Sequence, residues 1–392
     1  SGPGPDLPRR VPLQLETLTY SRESGWSATP FPPLDSERTL IVVFGAVAFA
    51  KHAAPLAELR GAYPRSAFTG CSTAGEIFQR ELSDETLSVA IARFDHTDVR
   101  TAQASVSGPA DSFEAGRSLA TQLTRDDLAA ILVLSDGLNV NGSDLVRGFN
   151  AELDESVIVT GGLAGDGDRF KETWVLGEGH PQPRTITAAA LYGERVRVGH
   201  GSRGGFDIFG PERTVTRSRD NVLFELDGRP ALALYKEYLG ERASGLPATA
   251  LLFPLALRAK SGDSKVLVRT VLAVDEQDQS MTFAGNVPAG HKAQLMRANF
   301  ERLIEGASEA ALRAKHRAGG DEAATLAIAI SCVGRRLILG ERAEEEIEAT
   351  LDELPSGTRQ IGFYSYGEIS PYASGHCDLH NQTMTLTTIA ED

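Results

Sequence analysis

Short apolar runs recur along this 392-residue chain, each in the same setting. Leu40-Ile41-Val42-Val43-Phe44, Ile131-Leu132-Val133-Leu134 and Leu326-Ala327-Ile328-Ala329-Ile330 are short for buried helices and hold no polar residue, which predicts strands covered on both faces. A helix is expected after each: His52 to Gly61 with Leu56 and Leu59 on one face, one opening at the N-cap candidate Ser143, and a Glu-rich one around Glu344-Glu345-Glu346 reaching Leu354. A second strand follows (Ser66 to Thr69, Val157 to Thr160, Gln360-Ile361), then a glycine turn, then a further strand (Ser88 to Phe94, Thr185 to Leu191, Thr383 to Ile389). Ser280 to Pro288 reads as a degenerate fourth copy. Repetition at roughly ninety residues indicates duplicated α/β units, since solenoid repeats run at ~20–50. The expected fold is α/β: two domains built from duplicated strand-helix-strand-strand units in layered sheets and helices. An N-terminal extension occupies 1–36, one domain 37–220 and the other 221–392, with the boundary close to Asn221.

Chemistry concentrates in the turns. Gly70-Cys71-Ser72-Thr73-Ala74-Gly75-Glu76-Ile77 and Gly362-Phe363-Tyr364-Ser365-Tyr366-Gly367-Glu368-Ile369 share the pattern G-x(4)-G-E-I, with hydroxyls between the glycines and a carboxylate after them. Such glycines are expected to need backbone freedom or close approach. The middle turn, Gly161-Gly162-Leu163-Ala164-Gly165-Asp166-Gly167, lacks G-x-G-x-x-G spacing and a Walker lysine, which argues against a nucleotide site. Cys71 or Ser72 with Glu76 offers a nucleophile and a base. No Ser-His-Asp or Cys-His order accompanies them, and the turn is not a G-x-S-x-G elbow, so no catalytic residue is assigned. The turns read as binding elements that converge between the two halves, with Cys71, Ser72, Thr73, Glu76, Gly161, Gly162, Tyr364, Ser365, Tyr366 and Glu368 as ligand-binding candidates.

Composition narrows the partners. A net charge of −14, with no basic run longer than Arg335-Arg336 or Arg9-Arg10, argues against a nucleic-acid surface. No apolar segment approaches the ~20 residues that span a bilayer, and no signal peptide opens the chain, so a cytoplasmic location is expected. Cys71, Cys332 and Cys377 are too scattered for a disulfide framework or a zinc site and read as reduced thiols. Ser1 to Pro5 is set aside as a flexible leader.

Taken in order, these segments resemble a known family. The Gly70 to Ile77 turn is similar to the hallmark of FIST N domains. Val215-Thr216, Glu225-Leu226-Asp227-Gly228-Arg229-Pro230-Ala231, Ser331-Cys332-Val333-Gly334-Arg335, the Gly362 to Ile369 turn and His380-Asn381-Gln382-Thr383-Met384-Thr385 are similar to FIST C domains. The resemblance implies a sensory input module that binds small ligands such as amino acids and signals to a separate partner, a histidine kinase or a cyclic-di-nucleotide enzyme. It also implies an alternative, because one bacterial branch with this stand-alone layout consists of haem-binding nitric-oxide sensors (NosP-type), with haem b as cofactor. A Cys- or Ser-dependent hydrolase or transferase is the second alternative. His200 and His380 fall at general family positions and join the ligand-binding candidates; His291, His376 and His200 are the candidates for an axial haem ligand. His52, His96, His180 and His316 lie in contexts that read as exposed.

Overall fold

The computed structural model describes residues 13–315, 324–372 and 375–392; the leader Ser1 to Pro5, Arg9-Arg10 and His316 fall outside them. Its centre consists of three sheets built on one plan. In each, two parallel strands flank a helical crossover. They are Thr39–Gly45 with Ala67–Ser72, Leu128–Ser135 with Ile158–Leu163, and Leu326–Cys332 with Arg359–Ser365. Antiparallel closing strands lie beside the first of each pair: Thr86–Phe94, Thr185–Tyr192 and Met384–Glu391. Outside these run Leu13–Ser21, Asp98–Ser105 and Val196–Arg203.

Alternation along the buried strands explains the packing. Leu40, Val42 and Phe44 share one core with Ala130, Leu132 and Leu134 and with Leu326, Ile328 and Ile330. Ile41 and Val43 instead pack with Leu56 and Leu59 of the helix Ala54–Ala62. A run that is apolar at every position is what a strand between a helix layer and a shared centre requires.

Each unit completes a neighbour's sheet rather than its own. After its glycine turn the first unit contributes the hairpin Glu76–Phe78/Glu81–Ser83 to the third sheet, where Phe363 pairs with Glu76. The third contributes Gly367–Pro371/Cys377–His380 to the second sheet, pairing Glu368 with Gly162. The second contributes Val175–Gly177/His180–Gln182 to the first sheet, pairing Val175 with Cys71. The exchange is cyclic, and it makes Cys71, Gly162 and Phe363 equivalent, with Val175, Glu368 and Glu76 opposite them.

The expected fourth copy does not form. Ser280–Phe283 pairs antiparallel with Val271–Asp275 and Val222–Leu226 inside a nine-stranded sheet with its own apolar core. This sheet runs from Phe206 to Ala298 and is inserted between Val196–Arg203 and the helix Phe300–Lys315 of the third unit. Asn221 lies in the turn of the hairpin Arg213–Arg219/Val222–Leu226. Two local expectations also shift. The helix Gly142–Glu152 is capped by Asn141, whose side chain accepts from the amides of Ser143 and Asp144. The last strand begins at Met384 rather than Thr383, and His380 ends the strand before it, Cys377–His380.

Candidate functional site

The three turns meet in the centre of the molecule. Ala74 N donates to Tyr364 O at 2.8 Å and Tyr364 N to Gly75 O at 2.9 Å, while Gly165 N reaches Ser72 O at 3.0 Å and Tyr366 N reaches Leu163 O at 3.0 Å. Their carboxylates are spent on holding them together. Glu76 accepts from the Thr73 hydroxyl and from the amide and hydroxyl of Thr86, at 3.0 and 2.9 Å. Glu368 repeats this with the Ser365 hydroxyl at 2.7 Å and with the amide and hydroxyl of Thr383, at 3.2 and 2.9 Å. Each thus ties a turn to the start of a closing strand. Burial pushes both carboxyls up, Glu76 to about 7 and Glu368 to about 8, against the opposing effect of these hydrogen bonds.

The middle turn holds itself differently, since Val175 stands where the other two carry a carboxylate. Asp136 takes over, accepting from the amides of Leu138, Asn139 and Arg184. Asp166 accepts from the Tyr366 hydroxyl and from the amides of Phe170, Lys171 and Glu172, and Phe170 stacks on Tyr366 at 4.3 Å. Gly161, at φ +147°, lies so close to its neighbour strand that a Cβ would sit 1.8 Å from Val133 O. Tyr364 donates to Glu346 at 2.7 Å, part of a buried group in which Arg335 also donates to Glu346 at 2.6 Å.

Cys71, Ser72, Thr73, Glu76, Gly161, Gly162, Tyr364, Ser365, Tyr366 and Glu368 are therefore brought together as expected, but as a closed bonded centre. None of them borders the cavities of 840, 620, 600 and 380 Å³ found among the described residues. Burial alone pushes the Cys71 thiol well up, and the Ser72 hydroxyl is occupied by the amide of Trp174 at 3.0 Å. Neither is prepared as a nucleophile.

Open space lies where the inserted sheet meets the three-sheet centre. Clefts of 600 and 620 Å³ flank the hairpin Gly367–Pro371/Cys377–His380, which places Tyr372 and His380 along the first and Cys377, Asp378 and Leu379 along the second. The insert contributes alternate side chains to each: Arg258, Val266 and Val268 to the first, Leu257, Lys265, Leu267 and Arg269 to the second. His380 is the one predicted ligand residue besides His200 outside the turns, and it does line a cleft. Its Nε2 lies 2.9 Å from Ser370 O and must donate to it, so in the neutral ring Nδ1 is a bare acceptor; burial holds the imidazole below its ordinary value. The cleft residues Ser202, Arg203, Arg258, Arg302, Arg313 and Tyr372 escape sequence reasoning. The spacing of Arg302, Glu305, Gly306, Glu309 and Arg313 on one face of Phe300–Lys315 was the available signal.

Two family models match in tandem, the FIST N domain over residues 39–229 and the FIST C domain over residues 231–371. The chain belongs to the FIST family. FIST domains are associated with sensing and signal transduction. No protein of curated function matches this one. In structural terms the FIST N match holds the first two units and the FIST C match most of the third, so the protein is an α/β fold in two halves whose join lies within the inserted sheet.

Of the axial haem candidates in this FIST protein, His200 is buried on Val196–Arg203 opposite Thr387 and lines neither cleft. His376 is partly exposed, 3.5 Å from Glu155. His291 borders the 620 Å³ cleft beside apolar Val146, Leu257, Leu267, Val287 and Leu379 and the cations Arg147 and Lys265. Asp220, Asp263 and Asp378 line the same cleft, and both cations are answered within the protein, Lys265 by Asp378 and Arg147 by Asp144, each at 2.6 Å.

Proposed function

We propose that this FIST protein is a cytoplasmic sensor that binds a small ligand between the inserted sheet and the three-sheet centre and signals to a separate partner, a histidine kinase or a cyclic-di-nucleotide enzyme. The observation that carries the reading is the Gly367–His380 hairpin, which belongs to one unit by sequence and another by sheet and lines both clefts. A ligand touching it acts on two sheets at once. Three buried free thiols and the absence, among the described residues, of a helix able to cross a membrane support the location. The unactivated Cys71 and Ser72 support a non-enzymatic role.

The test is amide hydrogen exchange during titration with single amino acids and organic acids. Binding should slow exchange in Gly367–His380 and leave Glu76–Ser83 as it was, and the ligand should change the autophosphorylation rate of a partner kinase. Binding with an unaltered hairpin sinks the reading.

His291, which borders the 620 Å³ cleft together with Leu257, Leu267 and Leu379, supports a second reading, a haem-based nitric-oxide sensor. Haemin added to the protein should give a Soret band that shifts with nitric oxide and is lost in His291→Ala. A band unaffected by that substitution removes His291 as the ligand.

A further inference from the structure

The 600 Å³ cleft has an unbalanced charge. Arg203, Arg258, Arg302 and Arg313 line it against Glu305 and Glu309. Arg203 pairs with Glu309 at 2.6 Å and Arg302 with Asp207 at 2.5 Å, so two of the four guanidiniums are answered within the protein. Arg258 makes only a 3.3 Å hydrogen bond to neutral Gln294, and Arg313 has no ion-pair or hydrogen-bond partner among the described residues. These two sit on opposite walls: Arg258 ends the strand Leu255–Arg258 of the insert, and Arg313 is in the last turn of the helix Phe300–Lys315. Ser202, only 7% exposed, also borders the cleft, but its hydroxyl is shut off from the open space and has no hydrogen-bond partner among the described residues. The rest of the lining is mixed, with apolar Phe206, Val266, Val268 and Met296 beside polar Ser264, Tyr372, His380 and Thr383.

We propose that this cleft takes a small organic anion with two acidic groups, one for Arg258 and one for Arg313, so that the bound molecule bridges the inserted sheet and the helix behind it. The proposal rests on the sensor reading above and names its ligand class. In that pose one acid group meets each arginine and the carbon chain lies against Phe206, Val266, Val268 and Met296. On binding, each wall is drawn to the same molecule through its own arginine. Guanidinium is suited to this, because its planar fork takes a carboxylate in a two-point contact.

The experiment compares succinate and malate with acetate and uncharged succinamide at constant ionic strength, by isothermal titration and by the melting temperature of the full chain. The diacids should bind saturably and at least ~10-fold more tightly than acetate, with no response to succinamide. Arg258→Gln and Arg313→Gln should each weaken diacid binding by ~10-fold or more while the unliganded melting temperature holds, since neither arginine is in a close ion pair among the described residues; Arg313→Lys should restore part of the affinity. Acetate or succinamide binding as well as the diacids, no saturable response to either diacid, or both glutamine variants binding as the parent does would overturn the proposal. Hydrogen exchange separates it from the sensor reading. A diacid that binds through both arginines without slowing exchange in Gly367–His380 keeps the anion site and sinks the sensor. An uncharged molecule that binds the cleft and protects the hairpin keeps the sensor and sinks the anion site.

Discussion

The first and third glycine turns share a sequence pattern and a hydrogen-bonding scheme, yet they hold different things. Beyond Glu76 the chain enters a hairpin packed on the helix Ala343–Asp352, with Arg80 paired to Asp352 at 2.5 Å and the amide of Leu82 donating to Glu344 at 3.1 Å. Beyond Glu368 it enters the hairpin that walls two clefts. The same lock thus fastens a structural strap in one place and a ligand-facing element in the other. The repeated motif marks the fastening, and the segment after it decides the use.

The backbone separates the two turns most sharply. Gly75 sits at φ +133°, and a Cβ there would lie 2.4 Å from Arg336 Nη1, whose guanidinium is anchored on Ala74 O and Asp84. Gly367 has no positive φ, and its nearest obstacle is the flexible Leu379 side chain at 3.1 Å. Gly75→Val should cost about 3 kcal/mol or more and Gly367→Val about 1 kcal/mol, read by urea denaturation. Equal losses would mean that both turns need glycine for the same reason.

Removing the carboxylates probes what the turns share. Glu76→Ala and Glu368→Ala each leave a threonine amide and hydroxyl unanswered, half-buried at Thr86 and buried at Thr383, and each should cost about 2–4 kcal/mol. The two losses should agree, whereas only Glu368→Ala should alter succinate binding in the cleft. Effects on binding from both variants would end the distinction between strap and wall.

Titration sharpens the pair further. Both carboxyls lie above their unfolded value of 4.5, so between that pH and 7 for Glu76, or 8 for Glu368, the folded protein carries a proton that the unfolded chain has lost. Their contribution is complete below pH 4.5 and is lost as pH rises through 7 and 8. Each fully protonated group gives a slope of about 1.4 kcal/mol per pH unit. Glu368→Gln should flatten the decline near pH 8, and Glu76→Gln that nearer pH 7. A wild-type profile in both variants would place the titration elsewhere.

The smallest effect is expected at Cys71, whose equivalents are Phe363 and Gly162. A position that accepts thiol, ring or hydrogen is a packing site. Cys71→Ala should cost about 1 kcal/mol and leave the slow thiol labelling of the native protein unchanged. Loss of a fast-labelling thiol would show instead that Cys71 is reactive.

The repeated units were legible because their strands are apolar at every position and their turns are written alike, so the period stands out at Leu40, Ile131 and Leu326. Cyclic exchange was not. Nothing in Glu76-Ile77-Phe78 says that its partner strand begins at Arg359, since pairing over that distance depends on how three sheets close together. Convergence of the turns was read correctly from Glu76 and Glu368, but their self-sufficiency was hidden, because a carboxylate that answers Thr86 or Thr383 looks the same in sequence as one waiting for a ligand. The cleft arginines were invisible for a related reason: Arg258 and Arg313 are unremarked in composition, and only the fold shows which arginines lack a carboxylate.

Cyclic exchange also constrains the order in which the protein can be made. When Glu76–Ser83 leaves the ribosome, the strand that receives it has not been synthesised; the bond from Gln360 Nε2 to Gln79 O joins residues 281 positions apart. The first unit must wait, with a sheet-forming edge unpaired, until almost the whole chain exists. Closure of such a ring is late and cooperative, and long-range pairing of this kind makes for slow folding. A nascent chain stalled before Arg359 therefore exposes an adhesive edge, and its fate depends on chaperones until the last unit arrives.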